Sequence, residues 1–488
     1  MLTGLASGLL SVGCTKSTAS PAATAPARLP AHAAATPQLG SSGISWRYEV
    51  NFDGTRELAV EASFNATPER EFSADDSAAR FFSKVEYAEG ASWTAAIQRD
   101  TAWQVPCSAG CRVRYRFALA EAAAVLNDID TASASGQVFV APPSTWLLHP
   151  RVTDEHAQFE LHVEPGPNGH FLTAFQPVRD RPNTYRASTP TLDDAGFSAF
   201  GALQVAEVPA GDTTVLLGVA PDQLGLTEEQ ARTWIATSAG AVASYYQGHL
   251  PARHTLVLLM KGSGKNTRGE TLGGGGPAVL VRASDLVNPS TIRDDWVVTH
   301  ELFHANFPDV GREHAWLSEG LATYLEPVAR VRVGIISKEK FWRDLINGLP
   351  QGLPEAGDQG LEHTRTWGRT YWGGALFCLV ADVALREKTG NRHSLDDVLL
   401  AIGKTGATDD AFWDIQQVLD AGTRATGTTV VQQLYDELAQ KPGNVDLSNL
   451  FARLGVHAQG ASVVFDDSAP LATIRASITA PVTTPSPG

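Results

Sequence analysis

The chain has 488 residues, 43% of them hydrophobic and 19% charged, with a formal net charge of −15 at pH 7. That is enough apolar material for two or three packed domains and the wrong composition for a chain disordered throughout. No run of Lys and Arg is present to meet phosphates, which argues against a nucleic-acid partner.

Leu2 to Gly13 is a short apolar run rich in small residues, ending in Leu10-Ser11-Val12-Gly13-Cys14. It resembles a bacterial lipoprotein signal (1–14) whose Cys14 becomes the lipidated first residue. The expectation is an exported bacterial protein, lipid-anchored at the outer membrane or cell surface. If the segment is a plain secretory signal, the protein is periplasmic or secreted. Residues 15–43 are mostly Ala, Pro, Ser and Thr, which bury no core and read as a disordered tether. No other apolar run is long enough to span a bilayer, so membrane contact is expected only through Cys14.

From 44 to 208, β-like runs at 45–52, 57–64, 112–117, 137–141, 158–163 and 202–208 alternate with turn residues, the pattern of an antiparallel β-sandwich-like domain. Cys107 and Cys111 enclose a tight loop and read as a disulfide in an exported chain. Cys378, inside an apolar helical run, reads as a buried free thiol. A second domain is expected at 209–455. There a helix at 227–246 precedes strands at 254–261 and 277–283 of a small mixed sheet. Gly262-Ser263-Gly264-Lys265 is not a phosphate loop, because Leu259 and Asn266 stand where glycine and Ser or Thr are required. It reads as a hairpin loop. Beyond 286 the pattern is helical, with Asn288-Pro289-Ser290-Thr291 as capping residues, Asp294 and Asp295 in a first turn, and Pro308 as a stop. Later helices are expected at 370–388 (closed by Gly390), after the Ser394/Asp397 capping box, and at 410–419 and 429–440. Residues 456–488 read as a strand and a disordered tail.

The chemistry concentrates at His300-Glu301-Leu302-Phe303-His304. On a helix the two histidines sit one turn apart and both imidazoles reach one Zn²⁺. Trp296, His300, Phe303, His304 and Phe307 share one stripe, so the pair faces inward. Glu301 lies on the next row, placed to act as general base on water at the metal without ligating it. Trp316-Leu317-Ser318-Glu319-Gly320 supplies a third ligand, Glu319. The expectation is one Zn²⁺ per chain held by His300, His304 and Glu319.

These residues resemble the gluzincin peptidases. Trp316-Leu317-Ser318-Glu319-Gly320-Leu321-Ala322 is similar to the corresponding helix of the aminopeptidase-N and leukotriene-A4-hydrolase family. Tyr371-Trp372-Gly373-Gly374-Ala375-Leu376, with Asp382, the 385–390 stretch and the 394–398 stretch, looks more like the glycyl aminopeptidases. The resemblance implies a β-rich N-terminal domain followed by a thermolysin-like, mainly α-helical catalytic domain, and so an α+β multidomain fold. It also implies Tyr371 as the donor that stabilises the tetrahedral oxyanion, and Glu326 as an acid able to orient a metal-binding histidine.

Two departures shape the expected function. Fourteen residues separate His304 from Glu319, a shorter loop than either family has. Where aminopeptidase-N relatives place the glutamate that grips a free amino group, this chain has Gly273-Gly274-Gly275-Gly276-Pro277. The glycines are expected to lead into an edge strand at 277–283 along which substrate pairs, leaving room for blocked N-termini. The leading expectation is therefore a zinc metallopeptidase acting on peptides or proteins without strict need of a free N-terminus. An aminopeptidase anchored by another acid, such as Glu270 or Asp285, is the first alternative. A non-catalytic cell-surface binding protein is the second.

Overall fold

The computed structural model describes residues 43–481, except 55, 66–69, 108–109, 152–156, 168 and 222–223. The signal, most of the tether and residues 482–488 lie outside the described residues. Strands dominate the N-terminal region and helices the C-terminal region, giving a multidomain α+β fold.

The largest sheet has eight strands, with Ile44–Phe52 and Leu58–Phe64 near its centre. Ile44–Phe52 buries Trp46, Tyr48, Val50 and Phe52 and exposes Arg47, Glu49 and Asn51, the two-residue period of a strand with one dry face. That face packs on two four-stranded sheets, through Phe64 against Phe72 (ring centroids 4.9 Å apart) and Phe52 against Phe200 (5.5 Å). The sheet is not wholly antiparallel as the sequence suggested, because Ile44–Phe52 runs parallel to Gln158–Glu164. A parallel pair needs a long crossover, and here the whole intervening set of strands supplies it. Cys107 and Cys111 form a disulfide, and Cys378 is a buried free thiol.

A five-stranded sheet follows, in the order Gln204–Ala210, Thr213–Val219, Thr255–Lys261, Ala278–Ala283, Arg268–Leu272. Gln204–Ala210, which the sequence pattern grouped with the N-terminal strands, pairs with Thr213–Val219 in this sheet. Its central strands are apolar on both faces. Leu256, Leu258 and Leu280 pack with Leu172 and Phe197 of the N-terminal region, and Val257, Leu259, Val279 and Val281 face the helices. The edge is Arg268–Leu272, a strand unread in the sequence, and Ala278–Ala283 is interior. Since Thr255–Lys261 and Ala278–Ala283 are parallel neighbours, residues 262–265 begin a crossover to the edge and do not turn a hairpin.

Helix Glu228–Tyr245, close to the expected 227–246, starts at a capping box of Thr227 and Gln230. The helices Val297–Ala305, Ala315–Arg332 and Gly374–Thr389 carry the candidate site. Three expectations shift. The first of these helices begins nine residues after Asn288, because Asn288, Ser290 and Thr291 hydrogen-bond among themselves in turns. The helix expected at 410–419 is Ile415–Thr426, capped by Asp414. Where the sequence suggested one strand before the tail, a hairpin of Val456–Gln459 and Ser462–Phe465 leads to helix Ala472–Ile478, which buries Ile474 and Ile478.

Candidate metal centre

All nine residues of helix Val297–Ala305 are buried, since it lies between the five-stranded sheet and helix Ala315–Arg332. Its first N–H, on Val297, donates to Asp295 Oδ1 at 3.0 Å, a cap of the kind expected earlier in the chain. Burial pushes the Asp295 carboxyl up to about 6. At the other end Asn306 Nδ2 donates to the Leu302 carbonyl and its Oδ1 accepts from Ala252 N–H, which ties the helix to the segment leading into the sheet.

His300 and His304 point the same way and meet Glu319 from the second helix. Glu319 Oε2 lies 3.2 Å from His300 Nε2 and 3.3 Å from His304 Nε2, and the two Nε2 atoms are 3.2 Å apart. A tetrahedron with metal–ligand bonds of about 2.0–2.1 Å has edges of about 3.3 Å, so the three atoms fit one face of such a site. They are also the donors such an ion takes, two imidazole nitrogens and a carboxylate. Among the described residues this is the one cluster of His, Cys, Asp and Glu donors that converges in this way. Burial would raise the Glu319 carboxyl, but His304 and His300 outweigh it and hold the group well below the usual carboxylate range.

Glu326, two turns further along, makes no hydrogen bond to His300, although His300 is close enough to favour its charged form. It accepts from Arg330 one helical turn away, and Arg330 also donates to the Arg293 carbonyl. Burial raises the Glu326 carboxyl despite that guanidinium. His300 Nδ1 is buried without a hydrogen-bond partner among the described residues.

Glu301 is 1% exposed and lies against the edge strand. Tyr371 sits in a π-helical turn, Arg369–Gly373, of the sort that often marks functional sites in helices. Its ring stacks over His300 at 6.5 Å and under Trp367 at 5.7 Å. The helices bearing Glu319 and Tyr371 cross where Gly320 meets Gly374. A β-carbon on Gly320 would fall 2.3 Å from the Gly374 backbone. The glycines in both motifs are what let a metal-facing carboxylate and this tyrosine share one site.

The four glycines behave differently from the expectation. Added β-carbons would lie 2.0 Å from the Asp409 carbonyl at Gly273, 2.0 Å from the Asp194 carbonyl at Gly274, and 2.3 Å from the Ala174 carbonyl at Gly276. The segment is wedged between the N-terminal strands and the 409–410 loop, so close packing requires these glycines. Of the two alternative acids, Asp285 is exposed at the sheet rim beside Lys261 and stays out of the site. Glu270 is on the edge strand, 5% exposed, with Oε2 unpartnered. Burial, and then Asp130, Glu301 and Asp128, push its carboxyl up to about 9.

No family model and no curated protein matches this sequence. Solved structures do resemble its fold. An aminopeptidase N family protein from Idiomarina loihiensis superposes with a TM-score of 0.65 at 16% identity, covering 84% of this chain and 78% of that one. A mutant M1 zinc metallopeptidase from Deinococcus radiodurans, bound to a Tyr-Ser-Ala substrate, gives 0.50 at 15% identity over 83% and 96% of the two chains. A two-domain M1 zinc metallopeptidase mutant bound to L-arginine gives 0.50 at 15% identity over 84% and 98%. The chain therefore has a fold similar to that of the gluzincin aminopeptidases.

Proposed function

We propose that this chain is a zinc-dependent metallopeptidase. The carrying observation is the convergence of His300, His304 and Glu319 at tetrahedral edge lengths beside the buried carboxylate of Glu301. Zinc, when bound, supplies Lewis acidity to the scissile carbonyl and brings the pKa of water towards neutrality. The chain's own residues do the rest. Glu301 takes the proton from the attacking water and returns it to the leaving amine. Tyr371, beside His300, donates to the oxyanion. A short peptide is the proposed substrate class, since a similar structure holds Tyr-Ser-Ala. A non-catalytic binding role would give Glu301 no task. Among the described residues no helix is long and apolar enough to cross a membrane. Export and a lipid anchor at Cys14 are proposed on the 1–14 sequence alone.

Elemental analysis should find one zinc per chain, lost in His300→Ala. Glu301→Gln should keep the zinc and lose nearly all turnover. Finding no zinc in the purified wild type would sink this reading.

End preference divides into two readings. The lack of a carboxylate at 273–276 supports a peptidase that accepts blocked N-termini. The buried Glu270, facing Asp130 with one oxygen unpartnered, supports an aminopeptidase that pairs these acids with the substrate ammonium. Matched free and N-acetylated peptides separate them: equal cleavage supports the first, and loss on acetylation together with loss in Glu270→Gln supports the second.

A further inference from the structure

We propose that Gly269 and Thr271 on the edge strand are positioning residues that seat the Glu301 carboxylate, an inference that rests on the general-base role given to Glu301 above. Residues two apart on a strand face the same way, and these two face helix Val297–Ala305. Thr271 Oγ1 lies 2.8 Å from Glu301 Oε2 and 3.2 Å from the Glu301 carbonyl oxygen. A hydroxyl has one proton to give, and an ionised carboxylate only accepts. With Glu301 ionised, the proton of Thr271 therefore serves Oε2. Both residues are buried, so water does not compete for that bond. The two carboxylate oxygens become unequal, because Oε2 is held by the strand hydroxyl.

Gly269 supplies the second half of the seat. A β-carbon there would stand 2.4 Å from Glu301 Cγ and 2.7 Å from Oε1. Its φ is not positive, so the strand backbone itself would tolerate a side chain. The glycine is required by the carboxylate lying against it. One strand thus provides a donor on one side of the base and a vacancy on the other, while its neighbour Glu270 faces away.

The test compares Thr271→Val, Thr271→Ser, Gly269→Ala and Glu301→Gln in the zinc-loaded protein. Kinetics on one peptide, zinc content and crystal structures are measured for each. Valine keeps the branched shape a strand favours and removes only the hydroxyl. Losing a hydrogen bond to a charged group corresponds to a fall of roughly 10–100-fold in kcat. We expect that fall in Thr271→Val with KM and zinc content unchanged, recovery of most of it in Thr271→Ser, and near-complete loss in Gly269→Ala. Crystals of the valine variant should show the Glu301 carboxylate displaced, a readout that does not depend on turnover. Wild-type kcat in Thr271→Val, or a raised KM shared by the valine and serine variants, would overturn the seat. Full activity in Glu301→Gln would instead overturn the general-base reading on which it rests.

Discussion

Glu319 shows how neighbours decide a residue's chemistry. Burial alone would neutralise it, yet the two imidazoles keep it ionised and ready to ligate. Glu326 is as deeply buried on the same helix but is paired with Arg330. Removing the first should therefore abolish zinc binding, while Glu326→Gln should leave the zinc stoichiometry at one, as elemental analysis will read. Tyr371→Phe should retain metal and lose about 10²–10³ in kcat, the weight of one oxyanion donor. Near-normal kcat would make the tyrosine a packing residue between His300 and Trp367. His300, Glu301, His304 and Glu319 were legible because helical periodicity alone brings the first three together and a second helix motif names the fourth. Thr271 and Gly269 were not. Their partner is thirty residues away in sequence, and a threonine and a glycine in a strand carry no chemical signature of their own.

The edge strand shows why some elements escaped the sequence. Arg-Gly-Glu-Thr-Leu lacks both apolar alternation and an apolar run, because its inward faces are spent on Glu301 and Asp130 instead of on core. Helix Ala472–Ile478 escaped for a related reason: seven residues show too little periodicity, and its stability comes from docking, as when Arg332 donates to the Ile478 carbonyl. Helix Glu228–Tyr245 was legible to within one residue at each end because its cap is local. Where two helices touch backbone to backbone, a single methyl group should tell. Gly320→Ala overpacks the crossing with Gly374, which costs about 1–3 kcal/mol and moves Glu319 relative to Tyr371. Its thermal midpoint should fall and its zinc affinity weaken together, measured by calorimetry and metal titration. A stable variant with normal affinity would show that the helices can slide apart freely.

Across the whole molecule, the boundary between the N-terminal region and the five-stranded sheet holds an electrostatic strain at Glu270. Its folded pKa of about 9 lies above the ordinary carboxylate value, so the folded protein binds a proton the unfolded chain releases. Stability from this group is fully present below the ordinary value and is lost progressively as pH rises towards 9. Glu270→Gln removes that dependence. The variant should therefore gain more in thermal midpoint over wild type at pH 8 than at pH 5. An equal gain at both pH values would place the carboxyl in a solvated setting. Metal acts on the same global equilibrium: chelation should lower the midpoint and restored zinc recover it, by about 2.7 kcal/mol when zinc is at one hundred times its dissociation constant.

The wedged glycines at 273–276 also govern when the cleft can come into being. Their neighbours are contributed by residues 174–175, by 194 and by 409–410, which are remote from one another along the chain. Contacts between remote residues form late, because the loops between them must close first. The strand that seats Glu301 ends at this junction, so it is anchored only after the N-terminal strands and the late helices have both arrived. Pulse-labelled hydrogen exchange during refolding should find the amides of 269–272 protected after those of helix Glu228–Tyr245. On the proposed reading a half-made chain is then a harmless one, because the molecule has to finish building itself before its site exists.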